Sequence, residues 1–136
     1  ATKVAGRTEL LKKHCDIMLD VGHNPQAARY LALQLKELSY NNIYVVVGML
    51  ADKDITHALL PLVGSVNAWY LGTLQVNRGA TAQQLLQVLT PINESANCFD
   101  NVTQAFKMAC SVAGAKDLIL VYGSFYTVSE IRKLLV

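Results

Sequence analysis

Short apolar runs alternate with amphipathic segments along most of this chain. Three runs, Cys15–Asp20, Ile43–Met49 and Leu118–Tyr122, are almost continuously apolar, which is typical of parallel strands that are covered on both faces. Two shorter runs, Asn67–Gly72 and Ala96–Phe99, also indicate strands. The pattern therefore predicts a buried sheet as the centre of the molecule.

Amphipathic helices are predicted between these strands. Asn24 is a good helix-capping residue and Pro25 suits the first helical position, so we expect a helix from Pro25 to about Leu38 with one apolar face. Further helices are expected after other capping residues, namely Asp54, Thr81, Asp100 or Asn101, and Ser124. Because strands and helices alternate, we predict an α/β fold with a mostly parallel sheet and helices on both faces.

The amino-terminal part of the chain gives weaker signals. We expect residues 1–7 to form a loop or linker and Thr8–Lys13 to form a short strand. The length of 136 residues suits a single domain, covering residues 1–136, with its own core. Since the chain begins with Ala1 rather than Met, we expect it to be part of a longer protein.

Composition narrows the range of partners. The chain is 52% hydrophobic and 16% charged, which is typical of a globular protein. Its net charge of +2 and its scattered basic residues argue against a nucleic-acid partner, because such proteins need a basic stripe. No apolar run approaches the roughly 20 residues of a membrane-spanning helix. We therefore expect neither a nucleic-acid nor a membrane partner.

Cysteine and histidine usage indicates a reduced protein without a resident metal. The three cysteines are widely spaced and odd in number, so we expect free thiols in a cytoplasmic protein (Cys15, Cys98 and Cys110). The three histidines form no pair at metal-ligand spacing, so no metal site is expected (His14, His23 and His57).

The stretch Ile17–Pro25 concentrates candidate chemistry. It places the Asp20 carboxylate, the His23 imidazole and the Asn24 amide where a strand gives way to a helix. In open α/β sheets, ligands bind just beyond the carboxyl ends of the strands. A helix start at this place favours anions, because its free N–H groups point outward.

Each candidate also has a structural interpretation. Asp20 could bind a ribose hydroxyl, or it could be a solvated carboxylate or one satisfied by turn amides. His23 could contact a phosphate or carboxylate or serve only the turn. Lys53 could be an ordinary surface charge, and Ser124 could be only a helix cap. The sequence lacks both G-x-x-x-x-G-K-[ST] and G-x-G-x-x-G. If the chain binds a nucleotide, we expect another domain to hold the phosphates.

Four segments, in order along the chain, carry a family resemblance. They are D-V-G-H-N-P at residues 20–25, G-M-L-A-D-K-D at 48–54, R-G-A-T at 78–81 and G-S-F-Y-T-V at 123–128. Together they resemble the C-terminal domain of the bacterial folylpolyglutamate synthase/dihydrofolate synthase family, which belongs to the Mur ligase superfamily. The resemblance implies a Rossmann-like domain with about six strands, one of them antiparallel. It also implies that an N-terminal P-loop ATPase domain is absent from this chain.

The resemblance implies an ATP-dependent carboxylate–amine ligase that forms ADP. Such an enzyme activates a folate or dihydropteroate carboxylate as an acyl phosphate, and the nitrogen of L-glutamate then attacks it. The magnesium that accompanies ATP would be held by the N-terminal ATPase domain, which would also be the partner of this domain. We expect the domain to be inactive by itself.

Individual roles follow from the same resemblance. Asp20 matches a residue that contacts the ATP ribose, and Arg7 matches a catalytic arginine that reaches the ATP phosphates. His23 and Asn24 would lie at the interdomain cleft and bind ATP, with His23 also catalytic.

Two further residues, Lys53 and Ser124, would face the incoming amino acid. The family often has histidine where this chain has Tyr126, so no proton-transfer role is carried over to that position. Two other interpretations remain open from the residues alone. One is a stand-alone Rossmann-like module that binds a nucleotide or small molecule, and the other is a protein-interaction domain without a site.

Overall fold

The structure, a computed structural model, describes residues 2–4, 8–92 and 94–135, with side chains described from residue 8 onward. The strands in this part of the chain are β1 (Thr2–Val4), β2 (Thr8–Lys12), β3 (Asp16–Asp20), β4 (Asn42–Val47), β5 (Ala68–Gly72), β6 (Ala96–Phe99) and β7 (Asp117–Tyr122). The α-helices are α1 (Pro25–Lys36), α2 (Ile55–Leu59), α3 (Ala82–Leu89), α4 (Val102–Val112) and α5 (Phe125–Leu134). Short 3-10 helices occupy Leu60–Ser65 and Thr90–Ile92.

A single seven-stranded sheet organises the chain, in the order β1-β2-β3-β7-β4-β5-β6. Only β2 is reversed, because it pairs antiparallel with both β1 and β3 whereas β3, β7, β4, β5 and β6 pair in parallel. The predicted fold class is confirmed, including its one antiparallel strand. The strand beyond the expected six is β1, which lies within the residues that we expected to be a loop.

The strand register brings the candidate turns to one edge. Asp20 pairs with Tyr122, and Tyr122 pairs with Val47, so β3, β7 and β4 end at the same level. The glycines that follow these strands, Gly22, Gly48 and Gly123, therefore lie at one edge of the sheet. This edge is called the carboxyl edge below.

Two apolar clusters cover the two faces of the sheet. On one face, Leu31 and Leu35 of α1 belong to the same buried cluster as Leu118 and Leu120 of β7. On the other face, the alternating β7 residues Ile119 and Val121 are buried with side chains from α4 and α5, including Phe106 and Ile131. Every residue of β7 is buried, as expected for a central parallel strand.

The helix starts agree with the sequence signals. Asn24 caps α1 by accepting a hydrogen bond from the Ala27 amide at 2.8 Å, and Pro25 is the first residue of that helix. Thr81 and Gln84 form the predicted capping box at the start of α3. Within the described ranges, none of the helices is long and apolar enough to cross a membrane.

Helix α4 packs so closely on the sheet that only glycine fits at the end of β5. A Cβ on Gly72 would lie 2.6 Å from the Cα of Val102 and 2.8 Å from its nitrogen. We predict that Gly72→Ala lowers the free energy of unfolding by about 1–3 kcal/mol, because backbone must move to admit the methyl group. Gly64→Ala is the matched control, since a Cβ there meets nothing within 4 Å. Equal melting temperatures for the two variants would contradict the described packing.

Burial also controls the ionisation of a thiol at the start of β3. Cys15 is buried, and this burial raises its pKa from 9.0 to about 11. An unfolded chain releases the thiol proton at a lower pH, so the free energy of unfolding should fall as pH rises from 9 to 11. We predict a smaller fall for Cys15→Ala, measured by urea unfolding across this pH range. Identical pH dependence in the two proteins would argue against this contribution.

Candidate functional site

A small cavity of about 130 Å³ opens at the carboxyl edge of the sheet. Its lining includes three residues proposed from the sequence: His23 after β3, Lys53 after β4, and Ser124 after β7. The remaining lining residues are Leu50, Gly123, Phe125 and Tyr126. Residues that are far apart in the sequence therefore meet where the strand register places them.

The cavity is built on a close approach between two turns. Gly123 has φ of +119°, a conformation that favours glycine, and a Cβ there would lie 2.5 Å from the Gly48 carbonyl oxygen. At Gly48, a Cβ would lie 2.8 Å from the Thr127 hydroxyl. The two glycines thus allow the start of α5 to rest directly on the end of β4.

Ser124 is buried at the first turn of α5, where its hydroxyl is part of a hydrogen-bond network. Its Oγ accepts from the Thr127 amide at 3.1 Å and lies 3.2 Å from Thr127 Oγ1. Thr127 Oγ1 in turn donates to the Gly48 carbonyl at 2.9 Å. The capping role considered from the sequence is present, and the same hydroxyl also lines the cavity.

The ring of His23 is oriented by its own turn. Its Nδ1 lies 3.0 Å from the carbonyl oxygen of Val21, and a carbonyl can only accept, so Nδ1 carries the hydrogen. In the neutral ring, Nε2 then holds the lone pair and can accept a proton. This half-buried side chain lines the cavity and carries one ring nitrogen that can accept a proton.

Lys53 supplies the positive charge of the site. Among the described residues, its ammonium group has no hydrogen-bond or ion-pair partner, so its charge is available to a ligand. Lys53 also lines a wider open groove of about 610 Å³ between α2 and α3. The other residues of this groove are Asp54, Ile55, Thr56, Gln84, Gln87 and Val88.

The loop that carries Lys53 is fixed by the segment that precedes α3. Leu50 forms an isolated antiparallel bridge with Gly79, and Arg78 contacts the Asp52 carboxylate at 3.1 Å. A Cβ on Gly79 would lie 1.8 Å from the Leu74 carbonyl oxygen, so the close approach of residue 79 to Leu74 requires glycine. Two of the four sequence segments noted above therefore form one loop pair beside the cavity.

Asp20 lies at the carboxyl edge, as expected, but its carboxylate has partners within the protein. Oδ2 accepts from the Thr8 hydroxyl at 2.7 Å, and Oδ1 accepts from the Gly22 amide at 2.7 Å. The residue is only 6% exposed. The turn-amide interpretation is therefore realised, although each carboxylate oxygen can accept a further hydrogen bond.

The other residues proposed from the sequence occupy different places. Asn24 is exposed and its side chain caps α1. Arg7 lies outside the described residues. Its neighbour Thr8 pairs with Asp20 across β2 and β3.

Sequence reasoning missed Thr127, which is buried and joins Ser124 to Gly48. The one available signal was its spacing of three residues from Ser124, since a helix cap accepts from that amide. Its contact with Gly48 depends on the fold.

Comparison with known proteins finds a matching protein family and similar enzymes of that family. Residues 6–125 match the family described as Mur ligase, glutamate ligase domain. The dihydrofolate synthase/folylpolyglutamate synthase of Escherichia coli strain K12 is 40% identical over 131 residues, which are 96% of this chain and 30% of that protein. The chain thus spans less than a third of the length of this relative.

Two solved structures are also similar. Escherichia coli FolC in complex with DHPP and ADP has a TM-score of 0.88 and 40% identity, over 97% of this chain and 31% of that one. A bifunctional folylpolyglutamate synthase/dihydrofolate synthase with Mn, AMPPNP and L-glutamate bound has a TM-score of 0.87 and 37% identity, over 99% and 32% respectively.

The bond between Thr8 and Asp20 can be tested by stability. We predict that Thr8→Val lowers the free energy of unfolding by about 1–3 kcal/mol, because it leaves a buried carboxylate oxygen without its donor. Thr56→Val should change it by less than about 0.5 kcal/mol, since Thr56 is exposed on α2. Urea unfolding of both variants measures these changes. Equal losses of unfolding free energy in the two variants would contradict a stabilising role of the Thr8–Asp20 hydrogen bond.

Proposed function

The chain belongs to the Mur ligase family through its glutamate ligase domain, and on this premise we propose that it is the C-terminal domain of a folate–glutamate ligase. The complete enzyme uses ATP to join L-glutamate to folate or dihydropteroate, and it releases ADP and phosphate. It acts as a tetrahydrofolylpolyglutamate synthase, a dihydrofolate synthase, or both, in folate biosynthesis and one-carbon metabolism. The isolated domain is inactive.

One observation supports this proposal above the others: a cavity at the carboxyl edge joins Lys53, Ser124 and His23. The Lys53 ammonium binds a carboxylate of the incoming glutamate. Ser124 holds the same molecule by a hydrogen bond. A similar protein has L-glutamate, AMPPNP and Mn bound, which agrees with a site for an amino acid beside a nucleotide.

The reaction requires positioning more than elaborate acid–base chemistry. ATP converts the acceptor carboxylate into an acyl phosphate, and the amine nitrogen of glutamate attacks its carbonyl carbon. A C–N bond forms, the bond from carbon to the phosphate oxygen breaks, and phosphate leaves. The nitrogen releases a proton, which the Nε2 of His23 accepts.

The nucleotide side of the cleft is proposed to lie around the turn after β3. Asp20 accepts a hydrogen bond from the ATP ribose with its remaining lone pairs, and Asn24 and His23 contact the nucleotide. Arg7 places a guanidinium against the phosphates and stabilises their charge during transfer. The bond between Thr8 and Asp20 supports this arrangement, because Thr8 directly follows Arg7 in the chain.

The magnesium that accompanies ATP is assigned to the N-terminal ATPase domain. In the part of the chain that the structure describes, no three His, Cys, Asp or Glu side chains come together as a metal site. The role proposed for this chain is to bind ATP and glutamate and to close the cleft.

The other partners follow from the same proposal. They are the N-terminal ATPase domain, folate or dihydropteroate, ATP and L-glutamate. We place the enzyme in the cytoplasm, a location with which its three free cysteines agree.

A stand-alone nucleotide-binding module is the alternative. Such a module would hold phosphates with its own glycine-rich loop, and the sequence contains neither of the two common phosphate-binding motifs. The position of Lys53 and Ser124 beside the candidate base His23 also favours a ligase over a simple nucleotide receptor.

Lys53 is the residue that tests the proposal most directly. In the full-length protein that contains this chain, Lys53→Met should raise the KM for glutamate by about tenfold or more, because a charge-assisted contact is lost. The KM for ATP should stay unchanged. Lys107→Met is the matched control, since Lys107 is exposed on α4. Steady-state kinetics of the variants measure both KM values. A full-length wild-type protein that ligates no glutamate would refute the proposed function.

A further inference from the structure

Thr127 is a fully buried polar residue that the proposed function does not use. Its side chain lies in the first turn of α5, at 0% exposure. Its backbone amide donates to Ser124 Oγ at 3.1 Å, and its hydroxyl lies 2.9 Å from the Gly48 carbonyl oxygen and 3.2 Å from Ser124 Oγ. One threonine thus connects the end of β4 with a residue that lines the cavity.

The chemistry of these partners fixes the direction of each hydrogen bond. The Gly48 carbonyl can only accept, so the single hydroxyl hydrogen of Thr127 is used there. In the contact between the two hydroxyl groups, Ser124 must therefore be the donor and Thr127 the acceptor. The hydroxyl hydrogen of Ser124 is therefore directed at Thr127, which is buried and is not among the residues that line the cavity.

These hydrogen bonds leave the Ser124 hydroxyl with only one way to bind a ligand. Its oxygen accepts from the Thr127 amide and has given its hydrogen to Thr127 Oγ1, which leaves one lone pair. Ser124 can then only accept a hydrogen bond from the cavity. Lys53, which lines the same cavity, can only donate.

We propose that Thr127 is a positioning residue that holds Ser124 as a hydrogen-bond acceptor for the amino group of the incoming amino acid. This inference rests on the proposed function and adds a specificity determinant to it. An acceptor and a separate cationic donor together match an α-amino acid, which carries both an amino group and carboxylates. A dicarboxylate without an amino group satisfies Lys53 but leaves the lone pair of Ser124 unpaired.

The contact also places the nucleophile. The amine nitrogen must donate to Ser124 through one N–H while its lone pair is directed at the acyl phosphate. Because the Gly48 carbonyl is backbone and Thr127 is buried, the acceptor is held in place before the substrate binds. The amino group therefore meets a fixed oxygen instead of a freely rotating hydroxyl.

The test compares glutamate with glutarate, which has the same two carboxylates and no amino group. In the full-length protein, Thr127→Val removes the hydroxyl but keeps the shape of the side chain. Ser124 can then turn its hydrogen toward the cavity, so the KM for glutamate should rise about tenfold. The inhibition constant of glutarate should change less than about twofold, because no contact of Ser124 with glutarate is lost.

Two further variants separate positioning from general damage. Thr127→Ser keeps the hydroxyl and should bring the KM for glutamate back to within about threefold of the wild-type value. Thr103, in the first turn of α4, has a hydroxyl that donates to Glu130. Thr103→Val removes this hydroxyl and should leave the KM for glutamate and the inhibition constant of glutarate unchanged.

Each outcome decides the matter. A folded Thr127→Val variant with an unchanged KM for glutamate overturns the inference, and so does an equal weakening of glutamate and glutarate. If Thr127→Val does not fold, Ser124→Ala decides by the same comparison: selective loss of glutamate affinity supports the acceptor role, and equal loss refutes it. These results leave the proposed function standing, whereas a wild-type protein without ligase activity refutes both.

Discussion

The site depends on two strand ends that approach each other with no side chain between them. Gly48 and Gly123 follow β4 and β7, which are neighbours in the sheet, and a Cβ on Gly123 would lie 2.5 Å from the Gly48 carbonyl oxygen. This approach lets α5 begin directly against the end of β4. Thr127 can then bond the Gly48 carbonyl, and Ser124 is placed in the cavity wall. The chemistry at this edge is thus set by backbone geometry.

Local patterns predicted most of the secondary-structure elements. Continuous apolar runs predicted β3, β4 and β7, and capping residues such as Asn24 and Thr81 predicted where helices start. Strand β1 was missed because three residues carry little pattern, and its pairing with β2 is a property of the sheet. Lys53 and Ser124 came from a family resemblance, and the strand register brings them to one cavity.

Contacts between distant residues could not be derived from the sequence. The bond from Thr127 to Gly48 spans 79 positions, and no local pattern specifies it. The bond from Thr8 to Asp20 depends on the register of the reversed strand β2. Of the interpretations that the sequence offered for the Asp20 carboxylate, the fold realises the turn-amide one while keeping the residue at the carboxyl edge. The proposed ribose contact would therefore fall on a side chain that already has a structural role.

Lys53 lies on the boundary between the 130 Å³ cavity and the 610 Å³ groove, and it contributes to the walls of both. Its ammonium carries one positive charge and can neutralise one carboxylate at close range. An anion that paired with Lys53 in one space would reduce the positive charge that faces the other space. One side chain is therefore the shared cation of two adjacent spaces.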